Sequence, residues 1–261
     1  MNAILLGGLA VLGMFLGMLL MLEIGRRLAG RHLAADSNAS KVSSAAIDGA
    51  VFGLMGLLLA FTFSGAAARF DARRALAVEE ANDIGTAWLR LDLLPASAQP
   101  ALRAQFRSYV DARLASYQKL PDLAAAQLEQ ARYTTLQNDI WNGAVAGCRE
   151  SGSAPATLLL LPALNQMIDI TTTRTMATRM HPPAAIYVTL VLLVLLGSSL
   201  AGYGMGIGKS RNWFYTLTFA LIMTFALYVI LDFEFPRLGF IRIDAFDRVL
   251  VDLRQSMGGR E

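Results

Sequence analysis

The chain has 261 residues, 55% of them hydrophobic and only 16% charged, with a formal net charge of +3. A soluble domain usually carries about a quarter charged residues, and the Lys and Arg here are scattered, so the composition excludes an ordinary soluble domain and a nucleic-acid-binding surface. A single cysteine, Cys148, excludes an intrachain disulfide and a cysteine-rich metal site, and reads as a small helix residue.

Four apolar runs, at about 3–22, 49–66, 184–203 and 213–231, account for the charge deficit. Each is close to the roughly 20 residues that cross a bilayer core. The first run is predicted to be a retained transmembrane helix, not a signal peptide. No Lys or Arg precedes it, its apolar part is too long, and no A-x-A site follows. It ends at Glu23, with Arg26, Arg27 and Arg31 behind it, and DSNASKVSS is the flexible part of a polar linker over 23–47. The predicted fold class is therefore all-α, a multi-pass membrane protein with four transmembrane helices and a soluble helical insert between spans two and three. Its parts are a hairpin over 1–66, the insert over 67–183, a second hairpin over 184–232 and a soluble tail over 233–261.

The second span is not uniform around its circumference. At about 100° per residue, Gly49, Gly53, Gly56, Ala60, Ser64 and Ala67 share one stripe, where small side chains let another helix approach closely. A second stripe carries Phe52, Leu59, Phe63 and Phe70. The face opposite the small residues carries Val51, Met55, Leu58 and Thr62, then Arg69 and Arg73. The helical pattern continues without a proline from Asp48 to about Asp92, so one rod serves both membrane and insert. Over its second half Arg69, Asp71, Arg73, Arg74, Glu79, Glu80, Asp83 and Arg90 alternate in sign, as on a solvated or partner-facing side.

LPASAQP at 94–100 breaks the pattern, with Ser97 predicted to cap the next helix and Pro100 in its first turn. Leu102, Phe106, Tyr109, Val110 and Leu114 then recur at helical spacing, and Pro121 ends that helix. Asp122 is placed to cap a helix running to about Glu150, which SGSAP terminates; another runs from about 156 to 180 with Pro162 as a potential kink. HPP at 181–183 precedes the third span, and a short GMGIGKSRN link joins it to the fourth, which opens on Trp213, Phe214 and Tyr215 and closes on Asp232 and Glu234. The tail predicts a short strand or extended segment around Phe240–Ile243, then an amphipathic helix to about Met257.

An even number of spans puts both termini and the insert on one face. Basic residues do not settle which face: the short links hold Arg26, Arg27, Arg31, Lys41, Lys209 and Arg211, and the flanks of the insert and tail hold Arg69, Arg73, Arg74, Arg174, Arg179, Arg237, Arg242 and Arg248.

Motifs of chemistry are sparse. GYG at 202–204 lacks a preceding Thr-Val and a re-entrant loop, so it is no potassium filter; its glycines are expected to let the third span end and turn. Glu79, Glu80 and Asp83 form a carboxylate cluster on one helix among basic residues, read as a solvated or intersubunit salt-bridged face. His32 and His181 are far apart and neither has a second ligand at metal spacing. No nucleophile–base pair, phosphate loop or H-E-x-x-H pattern occurs. The expectation is no enzyme, no cofactor and no metal. Acidic residues are nearly absent from the apolar interiors, which disfavours a proton- or sodium-coupled transporter.

Leu58–Phe61, Phe70, Glu80–Asn82, Leu94–Pro95 and then Leu231, Asp232, Pro236, Gly239, Ile241 and Arg242 form a pattern that resembles a bacterial four-span family described as bestrophin-like. The layout of two spans, helical insert and two spans extends the resemblance over the whole chain. It implies a homo-oligomeric ion channel in the bacterial inner membrane, pentameric as bestrophins are. The second span would line an apolar pore, and the insert and termini would be cytosolic. Its partners would be the lipid bilayer, copies of itself and inorganic ions. The dense acidic run of the bestrophin calcium clasp is missing, so calcium gating is not implied. On this reading Phe52, Leu59 and Phe63, or alternatively Met55, Leu58 and Thr62, form a constriction that gates by dewetting. Arg69 and Arg73 would stand at one mouth and give a weak preference for anions, while Gly49, Gly53, Gly56, Ala60 and Ser64 pack helices together. The alternative is a non-conducting membrane sensor or scaffold whose insert binds a partner protein.

Overall fold

The computed structural model describes residues 3–35, 42–120, 122–206, 212–236, 239–242 and 244–258. Pro121, Lys41, Lys209, Arg211, Arg237, Ile243 and most of the DSNASKVSS and GMGIGKSRN links lie outside the described residues. The described residues form eight α-helices and one 3-10 turn, with no strand: α1 Ala3–Ala35, α2 Val42–Arg90, the turn Leu91–Leu93, α3 Gln99–Gln118, α4 Leu123–Ser151, α5 Ala154–Arg179, α6 Ala184–Gly206, α7 Trp213–Glu234 and α8 Asp244–Ser256. Four helical stretches are long and apolar enough to cross a membrane: Gly7–His32, Ala46–Leu93, Ala154–Gly206, which includes α6, and Trp213–Glu234. This is an all-α membrane protein.

Local chemistry explains most of the helix ends. Asp122 is the N-cap of α4 and accepts from Ala125 N at 3.1 Å, which satisfies one of the orphan amides of the first turn. Gly152 closes the same helix with a φ of 60°, a left-handed conformation that costs glycine nothing. Ser153 then caps α5 through Ala156 N, and Pro162 sits inside that helix. Asn212 caps α7, accepting from Phe214 N and Tyr215 N. Ser97 does not cap α3, contrary to its predicted role. The N-cap is Ala98 with no side-chain bond, and the Ser97 hydroxyl donates instead to Glu150 at 2.8 Å. Around 240 the chain forms bends, not a strand, and the amphipathic α8 follows as expected. Replacing Asp122 with alanine is expected to cost about 1 kcal/mol. Thermal unfolding of the purified protein should show a small drop in Tm with an unchanged helical spectrum.

The chain divides into two compact units, one of residues Met1–Ala68 and His181–Gly239, the other of Arg69–Met180 and Phe240–Glu261. At about 1.5 Å per residue the 49 residues of α2 extend about 73 Å and contribute to both. The tail after Gly239 belongs with the insert, because Leu250 of α8 and Met257 just beyond it are buried in the insert's core.

The core of the first unit gathers Met18 and Leu22 of α1, Met55 of α2, Leu190 and Val194 of α6, and Ala220 and Leu227 of α7. Its tightest feature is the crossing of α1 on α6. A Cβ added at Gly25 would lie 1.8 Å from Ser199 O, and one at Gly202 would lie 2.0 Å from Leu22 O. At Gly206 an added Cβ would lie 2.7 Å from Arg26 O. Gly202 and Gly206 are a G-x-x-x-G pair, the spacing that brings two helix backbones together in lipid. The expectation that GYG ends the third span is therefore corrected: α6 stays helical through Gly206, and its glycines serve packing.

The core of the second unit is built on Trp88, Phe106, Tyr109, Ile140, Leu160, Leu164 and Met167. Leu102, Phe106, Tyr109, Val110 and Leu114 of α3 are all buried, as their spacing requires. Trp88 meets Phe106 edge to face, and Arg103 lies over the same indole at 4.6 Å.

Candidate functional site

The two halves of α2's circumference differ sharply in burial along the membrane run. Met55 is 3% exposed and lies, with Phe52, over Gly197 of α6. Phe52 also meets Phe219 edge to face at 6.4 Å. Leu58 and Leu59 are half-buried against the same core. Thr62 is half-buried and returns its hydroxyl to Leu58 O and Leu59 O, so the helix itself satisfies that hydroxyl. Phe63 packs on Phe233 at 5.6 Å yet remains 43% exposed.

The other half of α2 is uncovered. Gly49, Gly53, Gly56, Ala60 and Ser64 are exposed, and added Cβ atoms at the three glycines would meet nothing within 4 Å. Leu54, Leu57 and Phe61 are exposed beside them, Phe61 at 65%. Leu54, Leu57, Phe61, Ser64 and Ala68 follow at steps of three and four, which is one line along a helix. The chain thus presents a mixed stripe of small and large apolar side chains that its own helices do not cover.

The expected mouth charges have different fates. Arg69 is half-buried. Arg73 is 6% exposed, donating from Nε to Ala177 O at 3.0 Å and from Nη2 to Met180 O at 3.1 Å. It satisfies carbonyls at the C-terminal end of α5, which lack partners within the helix.

The carboxylate cluster is split by the helix. Glu79 is exposed and Asp83 half-buried, its carboxyl raised by burial and by Glu79 and Glu80. Glu80 is fully buried, which corrects its reading as part of a solvated face. Arg113 Nε of α3 donates to its Oε1 at 2.5 Å, and Arg174 of α5 donates to its Oε2. Asp247 of α8 stands 3.9 Å from Arg174. Tyr117 and Tyr133 flank the guanidiniums, with Arg174 4.3 Å from the Tyr117 ring and Arg113 4.4 Å from the Tyr133 ring. Burial by itself would raise the Glu80 carboxyl; Arg113 and Arg174 outweigh it and hold the group below its ordinary value. Tyr109, buried nearby, is pushed up by desolvation. The cluster joins four helices and is charge-balanced, so its chemistry is structural.

The histidines stay apart. His181 Nδ1 lies 2.9 Å from Glu234 Oε1 and stacks on Phe235, while His32 Nδ1 lies 3.2 Å from Tyr203 Oη. Among the described residues no group of three His, Cys, Asp or Glu is placed to hold a metal. Asp232 is buried beneath Gly239, where an added Cβ would fall 1.3 Å from its Oδ1. That contact gives a steric reason for the Asp and Gly of the Leu-Asp…Pro…Gly run.

No family model matches the chain, and no curated protein matches it by sequence. Two solved structures of a bacterial bestrophin homolog from Klebsiella pneumoniae do match, both of mutant forms. One has a TM-score of 0.68 at 17% identity over 94% of this chain and 99% of that one. The other has a TM-score of 0.70 at 16% identity over 96% and 99%. The fold is bestrophin-like.

Within this bestrophin-like fold, the residues that sequence reasoning overlooked are the large members of the uncovered stripe, Leu54, Leu57 and Phe61. Helical spacing showed three faces on α2 but could not show which face the chain's other helices cover. Phe61 ends the Leu58–Phe61 motif, which by itself does not say what the ring faces. The signal for Glu80 was weaker still: a buried acid and an exposed one in adjacent positions differ only in what packs against them.

Proposed function

We propose that this protein is the subunit of a homo-oligomeric ion channel, pentameric by its likeness to bestrophins, in a bacterial inner membrane. The observation carrying this reading is the uncovered apolar stripe on α2. Copies arranged around an axis would turn Leu54, Leu57 and Phe61 toward a common lumen and pack the neighbouring small residues, Gly53, Gly56, Ala60 and Ser64, between subunits. A ring of leucine and phenylalanine side chains repels water when narrow, and ions pass only when the ring widens and wets. Met55 is the least suited of the candidates to line such a ring, because it is already in the protomer's own core. Phe52, Leu58, Leu59 and Thr62 share that inward half to a lesser degree, and Phe63 lies at the margin. Arg69, half-buried where α2 leaves its apolar run, is the candidate mouth charge for a weak anion preference, and Arg73 donates to carbonyls of α5. The insert and both termini would face the cytosol.

Point substitutions separate the faces. In liposomes, Phe61→Ala or Leu57→Ala should raise ion flux per protein, since a smaller side chain widens and wets the ring. Met55→Ala should destabilise the protomer by about 2–5 kcal/mol without opening the pore. Flux that rises with Met55→Ala and ignores Phe61→Ala would reject this assignment.

A further inference from the structure

A crevice of about 150 Å³ opens in the first unit between α1, α6 and α7. Leu19 and Leu22 of α1 and Met205 of α6 form its apolar walls, and Glu23, Arg26 and Trp213 stand at its polar end. None of these residues is used by the proposed pore. The crevice has two distinct ends because α1 passes from an apolar run to a charged turn at Glu23, while α7 begins at Trp213. Leu12 and Leu16, both exposed, continue the Leu19 side of α1 away from the charged end. An amphiphile lying along α1 would therefore meet apolar surface below and charge above.

The charge at the polar end is specific. Arg26 bonds Glu23 through Nε and Nη2, at 2.9 and 2.8 Å, and Arg27 bonds the same carboxylate through Nε at 2.8 Å. Two guanidiniums against one carboxylate leave a surplus positive charge. Nη1 of Arg26 has no hydrogen bond among the described residues, and its side chain is 38% exposed. Trp213 is 52% exposed at the first position of α7, where an indole favours the headgroup level. A guanidinium with a free donor, held by a carboxylate beside an interfacial tryptophan and an apolar slot, matches a phosphate ester carrying an acyl chain.

We infer that this crevice binds an anionic phospholipid, with Arg26 on the phosphate and the first part of one acyl chain between Leu19, Leu22 and Met205. The site belongs to a single protomer and does not depend on whether the protein conducts ions. Native mass spectrometry of the intact protein, titrated in turn with phosphatidylglycerol, phosphatidylcholine and inorganic phosphate, tests it. Phosphatidylglycerol should be retained in preference to the other two. Arg26→Gln should weaken that retention about tenfold, the worth of one charge-assisted hydrogen bond. Met205→Phe, which fills the slot without altering charge, should weaken it too, and it carries the test if the Arg26 variant is poorly made. Equal retention of phosphatidylcholine, equal binding of inorganic phosphate, or phosphatidylglycerol retention unchanged in both variants would overturn the inference.

Discussion

Replacing Glu80 with alanine is expected to destabilise the helical unit by about 3–5 kcal/mol, because it leaves two buried guanidiniums without their shared partner. The Arg113 side chain is 3% exposed and the Arg174 side chain 8%, so neither can recover its hydration without opening the core. Arg113 cannot escape by losing a proton. A guanidinium stays protonated in folded proteins, with or without its carboxylate partner. Glu80→Gln should be only partly milder, since it preserves shape but removes the charge. Replacing all four charged members together with apolar residues, Glu80→Leu, Arg113→Met, Arg174→Leu and Asp247→Leu, should cost less than Glu80→Ala alone, because no buried charge of the cluster is left without its partner. Thermal unfolding of the four purified proteins should rank them in that way, and a Glu80→Ala protein as stable as the unmodified one would contradict the role given to the cluster.

The same cluster sets a pH dependence of known sign. The folded protein holds the Glu80 carboxyl below its unfolded value of 4.5. Its contribution to stability is therefore complete above about pH 4.5 and is lost as pH falls through the folded value. Acid titration of the unmodified protein should show this loss, and the Glu80→Gln variant should show a shallower slope over the same range.

Gly202→Leu and Gly25→Leu should each prevent α1 from seating on α6. The contacts are between backbones: an added Cβ alone falls 2.0 Å from Leu22 O or 1.8 Å from Ser199 O, and no flexible side chain is there to yield. Overpacking ordinarily costs about 1–3 kcal/mol and occasionally more; these two positions belong at or beyond the upper end. The expected outcome is little monodisperse protein after detergent extraction. Gly13→Ala, on the same helix with open space around it, is the matched control. It should be neutral or stabilising by up to about 1 kcal/mol, the helix preference of alanine over glycine. Normal yield and melting of both leucine variants would mean that this crossing does not hold the membrane unit together.

Much of the architecture is legible in the residues themselves. Apolar runs of the right length placed all four membrane helices, and Asp122, Gly152 and the spacing of Leu102 to Leu114 placed the helices of the insert. These signals are local, and they are read over a few turns. What stayed hidden depends on neighbours. Glu79 and Glu80 look alike in sequence, yet one is exposed and the other lies beneath Arg113 and Arg174, residues 33 and 94 positions away. Arg73 resembles a mouth charge until α5 returns to present Ala177 O and Met180 O. The small stripe on α2 is conspicuous in the sequence, whereas the close backbone contact within the chain is made by Gly25, Gly202 and Gly206, which are not. The stripe on α2 faces outward, which is why it bears on assembly.

Whether copies of this chain enclose a conducting pore is decided most directly by ion flux across liposomes reconstituted with the purified, unmodified protein. The expected result is a flux that scales with the amount of protein, passes small inorganic ions and favours anions modestly. Vesicles that stay as tight as protein-free ones under every voltage and salt gradient applied would contradict the channel reading, and the uncovered stripe of Leu54, Leu57 and Phe61 would then need another occupant.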